Sequence, residues 1–145
     1  MKLTIELVPQ SAFFKNVRSE VSKDEWDIIR REAYKKAGYK CQICGGAGKQ
    51  HPVECHEIWE YKNGIQKLID FIAICPNCHQ VKHIGLSQMR GLEENCVKHL
   101  MKVNNMSEKQ VITYIENCFA IWRERSEQDW KLDISLLNKI EDEKC

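Results

Sequence analysis

The sequence predicts an α+β fold with a small metal-bound core, an N-terminal helix and a C-terminal helical extension. Two Cys-x-x-Cys pairs, Cys41/Cys44 and Cys75/Cys78, flank residues 45–74 of this 145-residue chain. Strand-like alternation with a tight-turn signal lies between the pairs, and amphipathic helical patterns lie on both sides. Two such pairs can place four thiolates around one ion, so the core is predicted to fold around structural Zn²⁺.

The first predicted elements lead the chain to the first cysteine pair. Residues 3–8 alternate apolar and polar side chains, which predicts a short strand, and residues 10–21 are predicted to be a loop. Ser22 and Glu25 form a capping-box pattern, and apolar residues follow at helical spacing up to Gly38. A helix is therefore expected to end just before the first pair.

A β-hairpin is predicted between the two pairs. Residues 53–61 have a strand pattern, residues 62–64 (Lys-Asn-Gly) are a tight-turn signal, and a return strand begins at Ile65. The apolar run 71–74 then enters the second pair, and a helix is predicted over residues 78–84. Such a small unit needs its metal, which supplies on the order of 10 kcal/mol of folding free energy.

The C-terminal part of the chain is predicted to be mostly helical. Apolar stripes predict helices over residues 87–103 and 107–122, each with one face in the core. Residues 130–135 alternate and are predicted to pair with the N-terminal strand. Residues 141–144 have the composition of a frayed acidic tail.

Composition places few limits on the partners of the chain. Lys and Arg total 22, while Asp and Glu total 21, so net charge favours no partner class. The length suits a zinc domain over residues 1–85 with a helical extension over residues 86–145. The eight cysteines would suit a disulfide-rich secreted protein, but the chain opens without a signal-like segment and has no apolar run of membrane-spanning length. A cytoplasmic protein without membrane contact is therefore expected.

Basic side chains crowd the approach to the first cysteine pair. They are Arg30, Arg31, Lys35, Lys36, Lys40 and Lys49. A helical face of this kind is either solvated or contacts nucleic-acid phosphates. Lys82, after the second pair, is predicted to face phosphate or solvent.

Histidines near the second pair indicate a second metal site. His79 follows Cys78 directly and His83 lies four residues later, so both imidazoles can reach one ion from a helix. A metalloprotease helix would carry Glu after the first histidine, whereas this chain has Gln80. His51 and His99 are predicted to be surface residues.

The middle of the hairpin offers further ligands. Strand alternation places Glu54 and His56 on one face, with Cys55 and Glu57 on the other. A second zinc site would use His79 with His83 and either Cys55 or His56, depending on a bulge that decides which face meets the helix. Alternatively, His56 is a hydrogen-bonded residue of the core.

The order of a Cys-x-x-Cys pair, a hairpin histidine and a Cys-x-x-Cys-His sequence resembles the HNH endonucleases, specifically their zinc-bearing branch. The resemblance covers roughly residues 26–85, and residues 70–82 are similar to the stretch that closes the HNH motif. It implies the ββα-metal, treble-clef-like core of that family.

The resemblance also implies roles for individual residues. His56 takes the position of the general base, Cys55 that of a metal ligand, and His79 that of the final ligand. The middle Asn of the family falls near Asp70. Because Cys55 replaces the usual Asp or His, Glu54 or Glu57 is expected to supply the missing carboxylate, and Glu57 is counted with His56 and His79 among the catalytic residues. Arg30, Arg31, Lys35 and Lys82 are the expected nucleic-acid contacts.

Two functions follow as expectations from this resemblance. The first is a metal-dependent endonuclease that hydrolyses phosphodiester bonds in DNA with Mg²⁺, Mn²⁺, Ni²⁺ or Zn²⁺ as a second ion. A thiolate from Cys55 would favour zinc over magnesium. The alternative is a non-catalytic zinc module that binds nucleic acid or a protein. The C-terminal helices are expected to contact a protein partner or to form a homodimer.

Overall fold

A computed structural model describes residues 1–142 and confirms the α+β class. Within this range, seven helices and a short 3₁₀ turn surround a three-stranded sheet. The helices are α1 (Val17–Glu20), α2 (Lys23–Lys36), α3 (Pro76–Lys82), α4 (Ile84–Met89), α5 (Glu93–Asn104), α6 (Glu108–Arg125) and α7 (Leu136–Asp142). The strands are β1 (Glu54–Lys62), β2 (Ile65–Ile74) and β3 (Lys131–Asp133). The predicted acidic tail extends beyond the described residues.

Local signals set the beginning of the two long helices. The Ser22 side chain accepts a hydrogen bond from the backbone N–H of Glu25, whose carboxylate accepts one in return from the N–H of Ser22. Ser107 and Gln110 form the same reciprocal pair at the start of α6. Both helices therefore begin where the sequence predicts, because each cap is satisfied by its own side chains.

The predicted hairpin is confirmed, and its turn fixes the register. Asn63 and Gly64 have φ angles of 53° and 73°, the left-handed pair that a two-residue hairpin turn requires. Strands β1 and β2 are antiparallel, with a bulge between Ile58 and Trp59. Residues 54–58 keep a regular register beyond this bulge, so one face of this part of β1 carries its even-numbered side chains.

The predicted N-terminal strand is wrong. Leu3 and Ile5 are buried, but their backbone N–H groups donate to side chains of the extension, at 2.9 Å to Asn104 Oδ1 and 2.8 Å to the Tyr114 hydroxyl. The alternation of apolar and polar residues arises here because every second side chain enters the core, although the segment does not pair with a neighbouring strand. Consequently β3 does not pair with the N-terminus but lies parallel to β2, opposite residues 65–67.

The predicted helix over residues 87–103 is interrupted. Gly91 has a φ of 73°, which ends the first segment and separates α4 from α5. The predicted loop over residues 10–21 also contains more structure, since it includes the 3₁₀ turn and α1. The Asn16 side chain caps α1 by accepting from the N–H of Ser19.

One hydrophobic core joins the N-terminal segment, the cysteine pairs and the C-terminal helices. Its buried members include Leu3, Ile74, Val81, Leu100 and Val111. The core therefore contains residues from both sides of the predicted boundary at residue 85. No helix within residues 1–142 is long and apolar enough to cross a membrane.

We expect Asn104→Ala to lower the free energy of unfolding by about 1–3 kcal/mol, because it leaves buried backbone groups unpaired. Asn104 accepts from the N–H of Leu3 and donates to its carbonyl at 2.7 Å, and Leu3 is fully buried. Urea denaturation measures the change. Exposed Asn95 on α5 offers the control, since Asn95→Ala should be neutral or slightly stabilising. Equal stability of both variants would contradict this account.

Candidate metal centres

The first candidate centre is a cluster of four cysteines, Cys41, Cys44, Cys75 and Cys78, whose sulfur atoms all lie within 4.8 Å of one another. Cys41 and Cys44 follow α2, while Cys75 caps α3 and Cys78 lies in its first turn. Cys44 is exposed, and the other three are buried. Four sulfurs at this spacing can hold a metal ion such as zinc.

Backbone N–H groups point at these sulfurs, as a set of thiolates requires. The N–H groups of Cys44 and Cys78 donate to the sulfurs of Cys41 and Cys75 at 3.4 and 3.5 Å, and that of Gly46 donates to Cys44 at 3.4 Å. Burial alone would raise the pKa of Cys41, but the surrounding backbone donors lower it to about 7. Burial and the neighbouring cysteines raise the pKa of Cys78. Four closely spaced thiolates therefore need a cation, so the donor set fits zinc.

His99 also contacts this cluster, although the sequence placed it at the surface. It lies on α5, is half-buried, and its Nε2 is 3.1 Å from the sulfur of Cys78. Burial lowers the pKa of His99, so the neutral ring can donate one N–H to the sulfur. The available signal was its position three residues after buried Cys96, beside the apolar stripe of α5.

The second candidate centre is a cluster of three histidines, His56, His79 and His83. One ring nitrogen from each lies within 4.8 Å of the others. His56 comes from β1, and the other two come from α3 and its C-cap. The Nε2 atoms of His79 and His83 are 3.1 Å apart, and the His56 ring centre is 5.4 Å and 5.3 Å from theirs. The even-numbered face of β1 therefore meets the helix.

Glu54 orients His79 from behind. One carboxylate oxygen is 2.6 Å from His79 Nδ1, and the other is 2.9 Å from His51 Nε2. Burial alone would raise the pKa of Glu54, but the bonds to both histidines hold it below its usual value. The ionised carboxylate accepts the Nδ1–H, which leaves Nε2 of a neutral His79 ring free to bind an ion.

Both of the other imidazoles are held neutral. Burial lowers the pKa of His56 to about 2, while the ring of His83 is exposed at one side and its pKa is lowered to about 4 by the protein groups packed around it and by neighbouring His79. Neutral imidazoles are good ligands for zinc, nickel and copper ions and poor ligands for magnesium. Three ligands would leave a four-coordinate ion one position for water or substrate.

Cys55 and Glu57 lie on the opposite face of β1. Both are outside the histidine cluster. Burial raises the pKa of Cys55 to about 12, and burial also raises the pKa of Glu57. The two-residue period of the strand separates them from His56, so neither side chain reaches the same ion.

The predicted nucleic-acid contacts do not form a basic surface around the histidines: Lys82 precedes His83 but is buried, and the others lie on α2. Lys82 is 6% exposed and bonds to Glu6 and Thr4, so the structure corrects its expected position at the surface. Helix α2 packs beside Phe71, the register partner of Glu57, through Trp26. Arg30, Arg31 and Lys35 therefore lie on a helix that covers the hairpin face opposite His56. Arg30 is also paired with Asp27 at 2.8 Å.

Asp70, near the expected position of the family's middle Asn, is exposed on β2. Its carboxylate accepts a hydrogen bond from the N–H of Phe71 at 2.8 Å. Asp70 does not belong to either candidate metal cluster. Its side chain therefore organises its own strand in this structure.

Compared with protein-family models, with curated proteins and with solved structures, the chain gives no match in any of the three. The geometry of the two clusters is therefore the basis for inferring function.

We expect Glu54→Ala to weaken metal binding at the histidine cluster by about 10–100-fold, because a carboxylate behind a ligand histidine fixes its orientation and raises its basicity. Glu54→Gln should have a smaller effect, since the amide oxygen can still accept the Nδ1–H. Competition titration with a chromophoric chelator measures both. Glu60→Gln, an exposed change on the same strand, is the control. Unchanged affinity in Glu54→Ala would contradict this role.

Proposed function

We propose that this chain is an HNH-type, metal-dependent hydrolase of phosphodiester bonds in DNA. The proposal includes structural zinc at the four cysteines and a ββα-metal arrangement of the hairpin and α3. The observation that carries it is the convergence of His56, His79 and His83 beside the cysteine cluster. The HNH-like order of these residues in the sequence supports the choice of reaction and substrate.

The roles of the chain's own residues follow from their positions. His79 presents a ring nitrogen from α3, His83 presents one from the C-cap of α3, and His56 presents one from β1. Glu54 holds His79 in the required orientation. When bound, a divalent ion supplies Lewis acidity toward a phosphoryl oxygen and lowers the pKa of a water molecule. Because the ligands are imidazoles, we propose Zn²⁺ or Ni²⁺ ahead of Mn²⁺ and Mg²⁺.

The test is cleavage of supercoiled plasmid in each of these four ions. The wild type should nick the plasmid, and His79→Ala should reduce the rate by more than about 100-fold. Loss of a residue that only orients a metal ligand typically costs about 10–100-fold, and loss of the ligand itself should cost more. Cys55→Ser is the matched control, because Cys55 lies outside the cluster, and it should retain activity. Equal nicking by the wild type and His79→Ala would indicate a contaminant and reject the proposal.

A non-catalytic zinc module is the second candidate, and one observation favours it. His56, the residue expected to act as general base, lies among the candidate ligands, while Glu57 lies on the other face of β1. If His56 binds the ion, the resemblance assigns no other residue as the general base. If all four ions give no cleavage but the wild type still binds labelled duplex DNA, this second function replaces the first.

A further inference from the structure

The four sulfur atoms of the cysteine cluster each accept a hydrogen bond from a nitrogen, but one donor differs from the other three. Three donors are backbone N–H groups in the turns that hold the cysteine pairs, those of Cys44, Gly46 and Cys78. Within residues 1–142, no backbone N–H bonds to the sulfur of Cys78 itself. Its donor is the side chain of His99, whose Nε2 lies 3.1 Å away.

Water cannot take the place of this donor at Cys78. The side chain is fully buried, whereas that of Cys44 is exposed. A metal-bound thiolate offers only lone pairs, and Zn²⁺ neutralises only half of the charge of four thiolates, so a buried thiolate needs a donor in place of its lost hydration. A neutral His99 ring in this position therefore carries its hydrogen on Nε2.

Helix α5 holds the His99 ring at the cluster. Adjacent Leu100, and Cys96 on the preceding turn, are buried in the same core as Cys78. Helix α5 also packs against α3, the helix whose first turn contains Cys78. The ring thus reaches the sulfur from a packed helix and not from a loop, which is what a residue that orients a metal ligand requires.

His99 is not itself one of the candidate ligands. The ligand atoms that lie within 4.8 Å of one another at this centre come from the four cysteines alone. Four sulfurs already complete the tetrahedral coordination of zinc. The His99 nitrogen therefore acts on the ion through the sulfur of Cys78.

We propose that His99 is a positioning residue of the cysteine metal centre and makes the C-terminal helical extension a part of that centre. It orients the Cys78 sulfur and offsets part of its charge, so the ion is held more tightly when α5 is docked. Because such coupling is reciprocal, the bound ion also stabilises the docking of α5. This role rests on the structural zinc of the proposed function and does not depend on the nuclease activity.

Cobalt binding by the full-length protein tests this role, because thiolate-to-cobalt charge transfer reports the cysteine cluster and not the histidine cluster. We expect His99→Phe to weaken cobalt binding there by about 10–100-fold, since phenylalanine retains a packed ring but has no donor. His99→Gln keeps an N–H donor and should recover most of the lost affinity. Lys98→Gln is the control on the same helix, with a side chain that is 70% exposed, and it should bind cobalt as the wild type does.

The outcomes distinguish failure of the metal centre from failure of the His99 role. A wild type without a charge-transfer band would reject the metal centre and the role of His99 together. If the wild type binds cobalt and His99→Phe binds it equally well, the role of His99 alone is overturned. Equal losses in His99→Phe and His99→Gln would overturn it too, because packing and not the hydrogen bond would then be responsible. Circular dichroism at saturating cobalt checks that each variant is folded.

The tautomer of His99 in the wild type gives a test that needs no variant. Nitrogen NMR of the zinc-loaded protein should find the ring hydrogen on Nε2, with Nδ1 unprotonated. The opposite tautomer, with the hydrogen on Nδ1 alone, would overturn the proposal, because Nε2 could not then donate to the Cys78 sulfur.

Discussion

Replacement of Cys44 by serine is expected to unfold most of the protein at moderate temperature. Structural zinc sites contribute roughly 10–16 kcal/mol of binding free energy, and the substitution forfeits this contribution because three thiolates no longer retain the ion. Domains are stable by only about 5–15 kcal/mol in total. Cys44 is exposed, so the substitution leaves no cavity, and besides the metal bond it changes only the acceptor for the Gly46 N–H.

Thermal unfolding with and without a strong chelator measures this effect. The wild type should lose its cooperative transition when zinc is removed, and Cys44→Ser should resemble the chelated wild type. Cys55→Ser serves as the control, because Cys55 lies outside the cysteine cluster. A Cys44→Ser protein that contains no metal and still melts like the wild type would contradict a structural zinc at this cluster.

Alanine at His56 and alanine at His79 are both expected to abolish metal binding at the histidine cluster. Each ring supplies one of only three nitrogens that meet there, so losing either leaves two ligands for the ion. If His56 acted only as a base, as its place in the HNH-like motif implies, His56→Ala would remove activity and spare the metal. The two variants therefore distinguish a ligand from a base at this position.

Metal content after gel filtration in zinc or nickel measures this outcome. The wild type should retain ions at both clusters, and each histidine variant should retain only the ion held by the cysteines. Cys55→Ser should behave as the wild type, because its thiol is on the other face of β1. If His56→Ala keeps the second ion and loses nuclease activity, then His56 is the base, and the ligand role inferred from the geometry is wrong.

The sequence alone determined the elements whose signals are local. The capping residues Ser22 and Ser107 start α2 and α6 because each cap is closed by a side chain three residues away. The hairpin turn at Asn63 and Gly64 is local for the same reason. The geometry of each Cys-x-x-Cys pair is also a local property, because one short turn brings the two cysteines of a pair together.

Only the tertiary structure decided which side chains meet across these elements. Strand alternation gave two equivalent faces for β1, and the packing of α3 selected the face of His56 over that of Cys55. Lys82 is buried because Glu6 and Thr4, from the distant N-terminal segment, provide its partners. His99 reaches Cys78 for the same reason, across 21 positions of sequence. Periodicity shows that a side chain is buried, but a contact between distant segments depends on the burial of apolar surface from both, which no single segment encodes.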